Sequence, residues 1–276
     1  MSKNVKVDVP AFWQEGYLLI RDVFGKAETE ELRKRVLDVV PHGCGEILSK
    51  PFLRKILLDD RVLNIAQQIL GGTPVYFGDS ACVVGKQSHG WHKDNADRYD
   101  DSAPDWQSKY TLIRFGLYLQ DHSKHSGGLN VKARSHNSVS GKECRTVYLP
   151  TRLGDLVLWN LRTTHSGNAL LLRFCRSLHL DPVKAASLPH LFLAKEDGER
   201  AAIFFTLGLD DHHLQRYVAY LKTRAYMVEA WKVVKIHSKD VQEAVKGKNL
   251  IIKEVWNEIK GETCIGMNED YAPIPY

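Results

Sequence analysis

TLIRFGLYLQDHSKHSGGLNVKAR, residues 111–134, holds two apolar runs with strand character on either side of the turn-forming HSKHSGG. The first run covers 111–120 and the second 129–134. Similar runs occur at 75–85, 153–160, 170–180 and 201–208, with no helical pattern between them. Six or more strands without intervening βαβ helices predict an antiparallel sandwich or barrel, not a doubly wound sheet.

Outside this region the period changes. Residues 16–24 (GYLLIRDVF) read as a strand. Residues 27–40 carry Leu32, Val36 and Val39 at helical spacing, stopped by Pro41. A helical pair spans about 51–70, opened by Pro51 and closed by Gly71-Gly72. Helical spacing returns over 210–235 and 240–260. The predicted organisation is therefore one domain over 1–276. Residues 1–74 form an N-terminal strand and helices, 75–208 the β core and 209–276 a C-terminal helical tail.

The 276 residues can bury a full core without disulfides. The five cysteines are odd in number and widely spaced, and none forms C-x-x-C, which argues against a disulfide framework or a thiolate zinc site. The first ten residues carry no apolar signal core, and the apolar runs are too short to span a bilayer. A cytoplasmic protein is the expectation. The net charge of +5 is spread along the chain and leans towards an anionic small-molecule substrate. No basic stripe interleaved with aromatics points to nucleic acid.

The chemistry starts at WHKDN (91–95). In a strand, residues two apart share a face, so His92 and Asp94 would point one way and Lys93 the other. An imidazole and a carboxylate on one face are two ligands for a divalent metal. A second histidine completes a facial set that leaves positions open for oxygen chemistry at iron(II). The pair alone is weak, because chance gives about 1.4 such pairs in this composition. A second pair, His179 and Asp181, does occur. His165 lies in TTHSGN after the run GDLVLWN, and Arg176 follows in LLLRFCRSLHL. Arginine grips a carboxylate through two parallel hydrogen bonds.

These motifs together resemble the phytanoyl-CoA dioxygenase family over most of the chain. FWQEGYLLIRDVF (12–24) is similar to the family's opening element. His92-Lys93-Asp94 matches its metal motif and LYLQDHSKHSGGLNVKARSH (117–136) its middle signature. Gly154-Asp155-Leu156, His165 and Arg176 match its late signature. One departure is Ala133-Arg134 where the family has Pro-Gly. The resemblance implies a double-stranded β-helix (jelly-roll, cupin-like) core. It also implies Fe(II) on His92, Asp94 and His165, 2-oxoglutarate on Arg176, and O2 as oxidant. A small molecule would be hydroxylated with release of succinate and CO2. An aspartate at 94, where halogenating relatives have a small residue, favours hydroxylation. His179 and Asp181 fall where the family has no ligand.

Softer expectations surround this set. Arg114, Gly116 and Tyr118 share a strand face, so Arg114 could hold the co-substrate or an anionic substrate, or serve in a structural salt bridge, and Tyr118 could touch the substrate. The polar loop 95–109 could act as a lid, with Tyr99 and Trp106 touching substrate. His89, His122, His125 and His136 are expected in turns or at the surface. Two readings compete with the oxygenase: a cupin-type metal enzyme without 2-oxoglutarate, and a non-catalytic ligand-binding jelly roll.

Overall fold

Alternation along the strands builds two sheets that face each other. The computed structural model describes residues 5–39, 46–85, 90–234, 238–255 and 259. The larger sheet is antiparallel, in the order β1 (Tyr17–Ile20), β7 (Leu156–Asn160), β4 (Ile113–Tyr118), β9 (Ala201–Leu207), β3 (Ser80–Val84). The smaller sheet places β5 (Gly128–Lys132) between β6 (Thr146–Leu149) and β8 (His165–Ala169). A two-stranded parallel pair joins β2 (Val75–Tyr76) to β10 (Ile251–Ile252).

On β4, Ile113, Phe115 and Leu117 alternate with Arg114, Gly116 and Tyr118. The first set joins Ile203, Phe205 and Leu158 in a core shared with the N-terminal helices. The second set lies on the face where Tyr118, Val157 and Trp159 meet Leu129, Val131 and Leu149 of the smaller sheet. The site forms between the sheets, on that second face.

Helices α1 (Val9–Glu15), α2 (Lys26–Val39), α3 (Pro51–Leu57) and α4 (Asp60–Leu70) cover the outer face. Asp8 caps α1 by accepting from the Ala11 N–H, and Asp59 caps α4 by accepting from Arg61. Helices α6 (His212–Leu221) and α7 (Ala225–Lys232) pack Leu214, Val218, Val228 and Trp231 against Phe77, Tyr110 and Leu112. No helix among the described residues is long and apolar enough to cross a membrane.

Gly154-Asp155 ties the first strand to this frame. Gly154 has φ +90°, and a Cβ there would lie 2.1 Å from the Phe24 carbonyl oxygen. The fully buried Asp155 accepts from Arg21 Nη1 (2.6 Å), the Asp22 N–H (3.0 Å) and the Arg152 N–H (2.8 Å).

Two expectations are corrected. Residues 170–180 form no strand; the strand is β8, immediately before them. β8 is an edge strand, and the chain beyond it leaves the sheet and makes a bridge from Leu172 to Leu193. The last helix does not run over 240–260. It stops as α8 (Lys239–Val245), Gly247 turns left-handed at φ +77°, and β10 follows. Helix α1 precedes β1, an element that the sequence reading did not place. Pro41, His89, Cys44, Cys264 and most residues after 255 lie outside the described residues. Cys82, Cys144 and Cys175 are free thiols.

Candidate metal centre and co-substrate pocket

The two histidines meet because their backbones pair. His92 N–H donates to the His165 carbonyl at 3.0 Å and His165 N–H to the His92 carbonyl at 2.9 Å. Their ring centroids are 4.2 Å apart. Asp94, two residues on, returns to the same side, with its own N–H on the Leu161 carbonyl at 2.9 Å. Its carboxylate oxygens lie 3.7 Å from His92 Nε2 and 3.6 Å from His165 Nε2. One ligand atom from each of the three residues falls within 4.8 Å of the others.

The imidazoles are oriented for a metal. His92 Nδ1 sits 3.0 Å from the Gly90 carbonyl and His165 Nδ1 3.0 Å from the Thr163 carbonyl. A carbonyl can only accept, so both Nδ1 atoms carry the proton and both Nε2 lone pairs face Asp94. Burial, with His92 alongside, pushes the His165 imidazole down to about 3, so it is neutral and ready to ligate. Burial would raise Asp94, but His165, Arg114 and His92 outweigh it and hold the carboxyl at about 2. Lys93 points away, as the alternation requires. It is fully buried, and Nζ donates to the Ser135 and Arg162 carbonyls at 2.6 Å each. Burial pulls its ammonium down to about 7.

Arg114 supports the carboxylate. Its Nη2 is 3.6 Å from Asp94 Oδ2 and its Nη1 is 3.0 Å from Asp79 Oδ1. Asp79 also accepts from Thr206 Oγ1 (2.6 Å) and Tyr217 Oη (3.2 Å). Burial would lower Arg114, but Asp79 and Asp94 raise it, so it stays charged. Both Nη atoms therefore face protein carboxylates, the salt-bridged one of the two places that the strand pattern left open for Arg114.

A cavity of about 480 Å³ opens on this cluster. Arg114, Tyr118, Trp159, Phe204 and Arg200 line it together with His92, Asp94 and His165. Arg176 is absent from it. Residues 170–180 leave the sheet, and Arg176 is exposed in a turn. The arginine that reaches the cavity without a carboxylate partner is Arg200, immediately before β9, which the sequence reading missed. It is 7% exposed; its Nε donates to the Gly127 carbonyl at 3.0 Å, and its buried Nη1 has no protein partner. Its guanidinium carbon lies 5.6 Å from the Tyr118 ring centroid. The Tyr118 hydroxyl and Trp159 Nε1 are likewise buried without partners. The signal available in sequence was position: Arg200 directly precedes the apolar run at 201–208.

Tyr99 and Trp106 do not reach the cavity. Tyr99 is half exposed beneath Arg98. Trp106 Nε1 donates to the Asp97 carbonyl at 2.6 Å, with Arg162 and Lys93 over its ring. Loop 95–109 is instead fastened to α6: Asp97 and Asp105 face Arg216, and His213 approaches Asp105 at 3.9 Å. The helical wall of the cavity comes from α7, through Tyr226 and Met227.

The other expected non-ligands take structural places. Asp181 accepts from Trp91 Nε1 (2.7 Å) and from the Val183 N–H (3.0 Å) at the start of α5 (Pro182–Ala186). His179 lies 6.4 Å from the Tyr148 ring. His122 and His136 are buried, not superficial, and sit near the Ser126 carbonyl at 3.2 Å and the Trp13 carbonyl at 2.9 Å. His122 does lie in a turn, but one packed under Tyr118 and against Gly127-Gly128, and His136 packs against Gly16, contacts that come from other segments.

Residues 42–170 match the family described as phytanoyl-CoA dioxygenase (PhyH), a span holding all three candidate ligands. Over those residues the chain is similar to that family. No curated protein matches it. Solved structures share its fold. EctD from S. alaskensis, solved with 2-oxoglutarate and 5-hydroxyectoine, is 16% identical with a TM-score of 0.53, over 75% of this chain and 78% of that one. HygX from Streptomyces hygroscopicus, solved with nickel and 2-oxoglutarate, is 17% identical with a TM-score of 0.52, over 72% and 84%. SnoN, described as a non-heme alpha ketoglutarate dependent epimerase from nogalamycin biosynthesis, is 16% identical with a TM-score of 0.50, over 72% and 81%. The phytanoyl-CoA dioxygenase-like match ends at residue 170, where the chain leaves the smaller sheet.

Proposed function

We propose that this protein is an Fe(II)/2-oxoglutarate-dependent dioxygenase that hydroxylates a small molecule. His92, Asp94 and His165 hold the iron, and Arg200 takes the far carboxylate of 2-oxoglutarate in place of Arg176. The observation that carries this reading is the buried, unpartnered Nη1 of Arg200 in the same cavity as the ligand cluster. A buried cation needs an anion, and a dicarboxylate chelated at the metal supplies one. It also disfavours a cupin-type enzyme without 2-oxoglutarate, which leaves that guanidinium unmatched.

Bound iron and 2-oxoglutarate supply the oxidising chemistry, with O2 consumed and succinate and CO2 released. The chain's own residues bind and orient. Arg200, with the Tyr118 hydroxyl beside it, fixes the co-substrate's outer end. Arg114 holds Asp94 in the ligand position against the pull of its other partners. Trp159, Phe204 and Leu129 exclude water from the space over the metal. Tyr226 and Met227 of α7 stand where a substrate would enter, which makes α7, not loop 95–109, the lid.

The two facing sheets support a double-stranded β-helix core within a single domain over 1–276. A cytoplasmic setting fits the free thiols. The leaning towards an anionic substrate rests on the net charge alone, since Arg114 is engaged.

The test is titration of 2-oxoglutarate into the anaerobic Fe(II)-loaded protein, followed by aeration and assay for succinate. We expect one equivalent bound only with iron present, and slow succinate release that a substrate accelerates. Iron binding without 2-oxoglutarate binding would return the protein to the cupin-type reading; binding of both without succinate would make it a non-catalytic sensor.

A further inference from the structure

Asp79 stands one residue before β3 and is held from three neighbouring elements. Gly78, at φ +79°, turns the chain beneath α7, where Trp231 Nε1 donates to the Gly78 carbonyl at 3.2 Å. The Asp79 carbonyl accepts the Thr206 N–H of β9 at 2.9 Å. Its carboxylate Oδ2 accepts from Thr206 Oγ1 at 2.6 Å and from Tyr217 Oη of α6 at 3.2 Å. Its Oδ1 accepts from Arg114 Nη1 of β4 at 3.0 Å. Asp79 is 6% exposed, and Thr206 and Tyr217 are buried with it.

Arg114 divides its fork unequally between two acids. Nη1 makes a hydrogen bond to Asp79, whereas Nη2 stays 3.6 Å from Asp94 Oδ2, too far for one. A guanidinium that faces a single carboxylate closes on it through two parallel hydrogen bonds. On Asp94 such a pair would occupy the oxygens that face His92 Nε2 at 3.7 Å and His165 Nε2 at 3.6 Å.

We propose that Asp79 is a positioning residue for the metal: by holding Arg114 back, it keeps the Asp94 carboxylate open to a divalent cation. The inference rests on the metal centre proposed above. Asp79 acts in two ways of the same sign. It fixes Nη1, so the fork does not swing onto both Asp94 oxygens. It also balances the guanidinium, whose charge would otherwise repel a cation in the same cavity. Arg114 is left to steer Asp94 by charge without taking its lone pairs.

The test is Mn(II) titration of the metal-free protein, with unbound Mn(II) read by electron paramagnetic resonance. In Asp79→Asn the amide oxygen can still accept from Thr206 and Tyr217, but the NH2 group turned to Arg114 only donates, so the guanidinium is released. This variant should bind Mn(II) on the order of tenfold or more weakly, at a parent-like thermal midpoint. In an Arg114→Gln background the same substitution should change the affinity by no more than about threefold, because the group it acts through is gone. Thr206→Val removes one donor to Oδ2, alters no charge, and should weaken binding by about threefold. Parent-like affinity in folded Asp79→Asn would overturn the role of Asp79, and so would an equal loss with and without Arg114. Should Asp79→Asn not fold, parent-like affinity in Thr206→Val overturns it. A parent protein that binds no Mn(II) would overturn the metal centre itself and this inference with it, which separates the two failures.

Discussion

The far carboxylate of 2-oxoglutarate needs a cation, and Arg200 and Arg176 make opposite predictions for it. Arg200→Ala removes a charge-assisted, bidentate pair in a buried site, so the 2-oxoglutarate requirement should rise on the order of 10²-fold or more. Arg176→Ala, on an exposed turn, should leave that requirement unchanged. Titration of both variants decides between the two residues; the reverse result would restore Arg176. Asp94→Ala removes the carboxylate that both imidazoles face and should abolish succinate release coupled to substrate. Near-normal turnover in that variant would take Asp94 out of the ligand set.

At the scale of the element, the Gly154-Asp155 turn joins β7 to the chain that leaves β1. Three groups converge on the Asp155 carboxylate in a fully buried position. Asp155→Ala would leave two backbone N–H groups unsatisfied and should cost about 2–4 kcal/mol, read as a lower urea midpoint at unchanged slope. Gly154→Ala adds both a left-handed strain and a collision with Phe24, and should fold less well still. A midpoint within error of the parent for both variants would show that this corner carries little of the stability. The same element logic explains why 170–180 misled. Its apolar content suits a strand, but beyond β8 the chain turns out of the sheet and leaves residues 173–178 exposed.

For the molecule as a whole, buried neutral histidines set the acid limit. Burial pushes His122 and His136 down to about 4, against an ordinary value of about 6.5 in the unfolded chain. Between those values the unfolded chain binds protons that the folded chain refuses, so stability falls as pH drops from about 6.5 to 4. Above about pH 7 both states are neutral at these sites and their contribution is flat. Each site is worth up to about 3 kcal/mol across that window. Urea midpoints of the metal-free protein at about pH 7, 6 and 5 measure the slope. His122→Asn should flatten part of it; an identical slope would remove His122 from this account.

Much of the candidate site was legible in sequence because its causes are local. The period of two in a strand places His92 and Asp94 together and turns Lys93 away, whatever the strand packs against. The apolar runs at 111–120, 153–160 and 201–208 announce their strands for the same reason. What the tertiary structure decided is which distant group arrives. The backbone pairing that sets His165 opposite His92 closes over a long loop, and the choice of Arg200 over Arg176 depends on where the chain re-enters the larger sheet. Arg114 shares its strand face with Tyr118, as the pattern requires, yet its partners Asp79 and Asp94 come from other segments. Spacing along a chain carries orientation, but contact between segments is fixed by packing, which no single segment encodes.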